Sequence, residues 1–210
     1  MQLIFDNLTA VIVSAIMIGV VLTLNVRSQA TAVEATRHYA ATTKQNALVD
    51  LIEYDLEDLG SGVATGSQMI TAYERDALGT KTFEFMRELA DASGEIQLAR
   101  IRYERSYAGS HTTGDSVVIP SFHVRRLVEK EDGTFVSTTG EGFEVVYLDF
   151  ALLGEDGEAV TSNLDAATNV EVHLRSALPF QDGADRMRFT SWAGTFRPSN
   201  LARRSSAVGG

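Results

Sequence analysis

Between Asp6 and Arg27 the chain carries no charged residue. The twenty positions 7–26, mostly Val, Ile, Leu, Met and Ala, reach about 30 Å as a helix, the thickness of one hydrocarbon core. A run that is apolar on every face has no polar side to turn towards water, so it is a bilayer span or the centre of a large core. Its place at the start of the chain argues against a buried core helix. Its length, and the lack of Lys or Arg in residues 1–7, argue against a cleaved signal peptide. We expect one transmembrane anchor over residues 1–26, with the lipid bilayer as its first partner.

Nothing breaks the backbone as the chain leaves this span. No Pro occurs before Pro120 and no Gly between Gly19 and Gly60, so the helix is expected to continue from about residue 4 to residue 59. Its later part becomes amphipathic: Leu48, Leu51, Ile52, Leu56 and Leu59 follow the i, i+3, i+4 spacing of one apolar stripe, with Asp50, Glu53, Glu57 and Asp58 on the other face. Gly60-Ser61-Gly62 supplies the stop. Residues 27–60 therefore form an amphipathic continuation whose stripe needs a sheet to cover it. Within the span, Ala15 and Gly19 lie four apart with Ser14 adjacent, a small-residue pattern that lets another helix approach closely.

From residue 61 the chain reads as one β-rich head reaching to residue 201, the size of a single domain, followed by a polar tail, 202–210, expected to lack fixed structure. Residues 69–78 read as a short helix or loop and 82–89 as ambiguous helix. Period-two alternation then marks strands near 96–103, 122–129, 143–152, 170–174 and 186–196. Asp132-Gly133 and Asp156-Gly157 sit between apolar runs as hairpin turns, so the sheet is expected to be antiparallel. The fold class expected is α+β, a long N-terminal helix packed on an antiparallel sheet.

Chemistry-bearing patterns are scarce. With no cysteine there is no disulfide, thiolate nucleophile or cysteine-ligated metal, and a formal net charge of −10 disfavours nucleic acid as a partner. His38, His111, His123 and His173 have no ligand spacing, and the pairs Gly60/Gly62 and Gly140/Gly142 lack the third glycine of a phosphate loop. Asp149, Glu155, Asp156 and Glu158 lack an EF-hand spacing and read as a solvated hairpin rather than a Ca²⁺ loop. Ser116 and Ser121 have no nucleophile-elbow context. Phe189, Trp192 and Phe196 read as a core-facing row more than as an exposed aromatic strip. The expectation is no enzyme and no cofactor.

A hydrophobic helix at the N-terminus, an amphipathic continuation and an antiparallel sheet resemble the type IV pilins and pseudopilins, in particular the larger minor pilins and the J-class minor pseudopilins of type II secretion. Leu51-Ile52-Glu53-Tyr54-Asp55-Leu56-Glu57 resembles their helix-ending segment. Phe143-Glu144-Val145-Val146-Tyr147-Leu148-Asp149, Asn169-Val170-Glu171-Val172-His173-Leu174 and Phe196-Arg197-Pro198-Ser199-Asn200-Leu201 resemble three of their strands. The resemblance implies a filament subunit at the cytoplasmic membrane, partnered by other pilin-like subunits through its N-terminal helix, with its head extracytoplasmic or in a cell-surface filament. It casts Asp6 as the acidic residue that neutralises a neighbour's terminal amine, and Ala10, Ser14, Ala15 and Gly19 as the helix-packing set.

The chain departs from the family by lacking a Gly before a Phe-Thr-Leu-x-Glu run. Arg27, Arg37 and Lys44 follow the span while no Lys or Arg precedes it, which by the positive-inside rule favours a cytoplasmic head. The alternative reading is a single-pass anchored binding or receptor-like module that does not polymerise.

Overall fold

The computed structural model describes residues 2–64, 66–91, 93–112, 116–130, 132–178 and 188–201, with the side chains of residues 2–6, 178 and 188 left out. Its contacts divide the chain into two units, residues 1–41 and residues 42–210. The chain is of the α+β class: one long N-terminal helix and a nine-stranded, mostly antiparallel sheet. The expected tail, 202–210, lies outside the described residues.

The first unit is helical. Helix α1 runs over Gln2–Glu57 and contributes its residues up to 41 here. Hydroxyls of Thr23, Thr31 and Thr36 donate to the carbonyls of Gly19, Arg27 and Ala32, four residues back, so β-branched polar side chains are accommodated without leaving the helix.

The second unit begins with the last turns of α1 and continues as strands β1 (Ile70–Asp76), β2 (Gly79–Ala90), β3 (Ile96–Thr112), β4 (Val118–Glu129), β5 (Phe135–Ser137), β6 (Phe143–Val145), β7 (Tyr147–Leu153), β8 (Asn169–Leu178) and β9 (Arg188–Phe196). Their order is β5-β4-β3-β2-β7-β8-β9, with β1 paired to β2 and β6 to β4. Gln45, Leu48, Val49, Ile52, Asp55, Leu56 and Leu59 are buried, a helical stripe laid on Phe83, Phe85, Ile101, Tyr103, Phe150 and Val172. Fully burying each Leu or Ile stabilises by roughly 1.5–3 kcal/mol. Leu51, expected in the stripe, is only half-buried, and Val49 takes a place in it instead. Gly60, at φ +79°, ends the helix by adopting the left-handed conformation and donating its N–H to the Met86 carbonyl at 2.8 Å.

Of residues 69–78, expected to be helix or loop, 70–76 form β1, and 82–89, read as ambiguous helix, form the middle of β2. The alternation of β2 is disguised because its core-facing row, Phe83, Phe85 and Arg87, contains a cation. The opposite row contains the buried Glu84 and the apolar Met86. Residues 143–152, expected as one strand, are two, because β6 pairs with β4 whereas β7 pairs with β8. Among the described residues every pairing is antiparallel except the parallel contact of Gly79 on β2 with Leu148 on β7.

Three of the described turns follow one rule. Asp91 N–H bonds the Glu95 carbonyl and Gly94 N–H the Asp91 carbonyl. The same pair recurs at Lys130/Thr134 with Gly133, and at Gly154/Glu158 with Gly157. Each closing glycine has positive φ, +85°, +79° and +80° in that order, the left-handed residue that a type I turn with a bulge requires. Carboxylates of Asp91 and Asp132 accept hydrogen bonds from Ser93 and Thr134, which holds both below their usual pKa.

Candidate membrane span and helix seat

Residues 7–26 are exposed around the whole circumference of α1, including Leu8, Ile12, Ile16, Val20 and Leu24. Among the described residues this is the one helix long and apolar enough to cross a membrane. Gly19 has open space where a Cβ would stand. At about 100° per residue, Ala10 and Ser14 share one side of the helix. Ala15, Gly19 and Thr23 run along a second side. The packing residues read from the sequence thus occupy two faces rather than one. Asp6 lies in α1, and its side chain is outside the described residues.

A second constellation, which the sequence reading missed, seats α1 on the sheet. Asp55 has 0% of its surface exposed, although it is charged. Arg126 on β4 grips it with both arms of its guanidinium, Nε to Oδ2 at 2.6 Å and one terminal nitrogen to Oδ1 at 2.8 Å. Tyr103 on β3 donates its hydroxyl to Oδ2 at 2.7 Å, and Arg87 on β2 reaches Oδ1 at 3.0 Å. Arg87 also donates to the Tyr54 carbonyl at 2.7 Å and to Asp58 at 2.8 Å, and its guanidinium lies 4.2 Å from the centre of the Tyr54 ring.

Two cations and two carboxylates therefore cancel, and both oxygens of Asp55 are satisfied, the condition under which a buried ion pair is tolerated. Burial, then the Asp55 charge and its hydrogen bond, push the Tyr103 phenol well above its usual pKa. The signal for Asp55 was present: it stands seven residues after Leu48, in the stripe's own repeat. Nothing in the sequence marked Arg87 and Arg126 as its partners, because only strand register brings them together.

Two other ionic clusters brace the sheet. Asp149 is held by Arg75 at 3.0 and 2.5 Å and by the Thr80 hydroxyl at 3.0 Å, which removes it from the acidic turn Glu155, Asp156, Glu158. On the face away from α1, buried Glu84 is bonded by Arg102 at 2.6 Å and Thr71 at 2.7 Å.

The remaining candidates stay apart. His111 contacts Glu144 and His173 contacts Glu171, and among the described residues no three His, Asp or Glu side chains converge as a metal would need. Trp192 and Phe196 pack on the core as expected for one row of β9. Phe189 falls on the opposite face, its ring centre 5.7 Å from the Arg175 guanidinium.

Comparison with protein families, with curated proteins and with solved structures returns no match. What the fold offers is a shape, an apolar N-terminal helix followed by a β-sheet, compatible with a pilin-like architecture.

Proposed function

We propose that this chain is a structural subunit of a pilus- or pseudopilus-like filament, assembling through its N-terminal helix and displaying the head. The observation that carries the reading is the division of labour along α1. Residues 7–26 present apolar side chains on all sides, and residues 45–59 are committed to the head. In a bilayer the first segment rests in lipid; in a filament the same surface packs against other helices, where small residues permit close approach. Asp6 sets register at the membrane edge by pairing with a neighbour's positive group.

Replacing Gly19 with Leu fills the open space beside one face, so Gly19→Leu is expected to abolish filament assembly in cells while membrane insertion persists. Filaments that survive this change sink the packing argument.

A second reading, an anchored module that does not polymerise, is favoured by Arg27, Arg37 and Lys44 on the head side of the span. Ser162 is exposed and the chain has no cysteine, so Ser162→Cys reports sidedness with a membrane-impermeant maleimide. Labelling of intact cells fits the filament subunit; labelling only after lysis leaves the non-polymerising module.

A further inference from the structure

The buried stripe of α1 is nearly periodic. Gln45, Leu48 and Val49 are followed seven residues later by Ile52, Asp55 and Leu56, and Leu59 begins the next repeat. Apolar packing discriminates poorly among positions of such a stripe, because it is non-directional and counts area rather than identity. Sliding α1 by one turn in one direction would bring Leu48, Leu51 and Ile52 to the places of Ile52, Asp55 and Leu56. Sliding it the other way would bring Ile52, Leu56 and Leu59 to the places of Leu48, Ile52 and Asp55. Each slide leaves an aliphatic side chain at the place of Ile52, while the ends of the stripe change: the first brings Lys44 to the place of Leu48 and Asp55 to that of Leu59, the second Glu53 to that of Val49 and Gly60 to that of Leu56.

The sheet side of the seat is not so tolerant. Arg87 and Arg126 are almost wholly buried and have their charge met by Asp55, Arg87 sharing Asp58 as well. After either slide a leucine would stand where Asp55 now accepts from Arg87, Tyr103 and Arg126, leaving two guanidiniums and a phenol in the core without that partner. The fork of Arg126 adds direction, since its two parallel bonds are made only when the carboxylate faces it in one plane.

We propose that the Asp55–Arg87–Tyr103–Arg126 cluster is a register lock: it selects one axial position and one rotation of α1 on the sheet, a role separable from the stability that the leucines supply. The lock thereby decides which side of the helix stays outward, the side bearing Asp50, Glu53 and Tyr54. The same logic lets a single buried polar residue fix register in coiled coils.

The test uses the full chain in detergent micelles, spin-labelled at Asn46→Cys and Lys81→Cys, both exposed positions in a protein with no other cysteine. In this background Asp55→Leu, Arg87→Met, Tyr103→Phe and Arg126→Met are combined, giving an apolar seat. The expected result is a chain that still melts cooperatively but whose label-to-label distances broaden or split, with components separated by about one helical turn, ~5 Å. A folded variant that keeps the narrow single distribution of the parent overturns the proposal.

Should the combined variant not fold, Arg126→Lys decides. It keeps the charge and loses the fork, and broadening with cooperative melting supports the lock. An unchanged distribution, or loss of folding in this variant too, overturns the lock and leaves the cluster a stabilising element only.

Discussion

Residues 7–26 and residues 45–57 share one helix, α1, and both are rich in Leu, Ile and Val, yet they meet opposite fates. In the first segment the aliphatic side chains are exposed wherever they point, so azimuth carries no information. In the second, azimuth decides everything: Leu48, Ile52 and Leu56 are buried, while Asp50 and Tyr54, two residues away, are exposed. Hydrophobicity without a polar face selects an apolar environment, and hydrophobicity with one selects a partner of matching shape. The second segment adds a buried carboxylate, which the first does not have over residues 7–26.

The largest effect is expected where that difference is deepest. Asp55→Ala removes the carboxylate that faces Arg126 and, among the described residues, leaves its guanidinium buried without a counter-charge, a loss of about 3–5 kcal/mol of head stability. Denaturant unfolding of the full chain in micelles measures it; a loss below about 1 kcal/mol would show that water already reaches the cluster. The contrast between the segments is sharpened by one substitution made in each. Ile52→Ala should cost about 2–5 kcal/mol through transfer and cavity formation. Ile16→Ala should leave the unfolding midpoint of the head where it was, and an equal shift from both would break the comparison.

How much of this was readable beforehand follows the range of the physics involved. The helix was legible because its evidence is local: an uncharged span, no Pro, and no Gly between Gly19 and Gly60. The turns at Gly133 and Gly157 were legible for the same reason, since a left-handed residue announces itself as glycine after aspartate. Strand β2 was hidden because Arg87 occupies an inward position and Glu84 is buried on the other face, the first satisfied by Asp55 of α1 and the second by Arg102 of β3. Those partners lie 32 and 18 residues away in sequence, beyond any periodicity. The small residues proposed to pack the N-terminal helix, Ala10, Ser14, Ala15 and Gly19, stood out as a composition, whereas their spacing at about 100° per residue divides them between two faces.

Tyr103 gives the seat a pH dependence that residues 7–26, with no titratable side chain, do not share. Its hydroxyl bonds a carboxylate, so Tyr103→Phe should cost about 1.5–3 kcal/mol near neutrality. The folded phenol has its pKa raised well above 10.0 by burial, then by Asp55. Below the unfolded value both states are protonated and its contribution to stability is fully present. As pH rises through that value the unfolded chain ionises first, and the contribution is lost progressively up to the folded pKa. Stability of the parent should therefore fall above about pH 10. Tyr103→Phe should flatten part of that limb and leave the part due to Tyr73 and Tyr147, which burial also raises. An alkaline limb of unchanged steepness in Tyr103→Phe would remove Tyr103 as its source.

The smallest loss within the head is expected where neither segment of α1 takes part. Gly133 closes the β4–β5 turn at φ +79°, and open space surrounds the position a Cβ would take, so Gly133→Ala meets no clash. Its cost is the left-handed backbone alone, about 1–2 kcal/mol. Gly60→Ala shares the positive φ but drives its Cβ to 2.5 Å from the Met69 sulfur, so it should cost more than Gly133→Ala by whatever Met69 cannot relieve by moving. Unfolding both variants side by side separates backbone strain from crowding at the end of the helix seat. Equal losses would mean that Met69 yields freely, and that the junction between α1 and β1 is looser than the burial of Leu59 and Met69 implies.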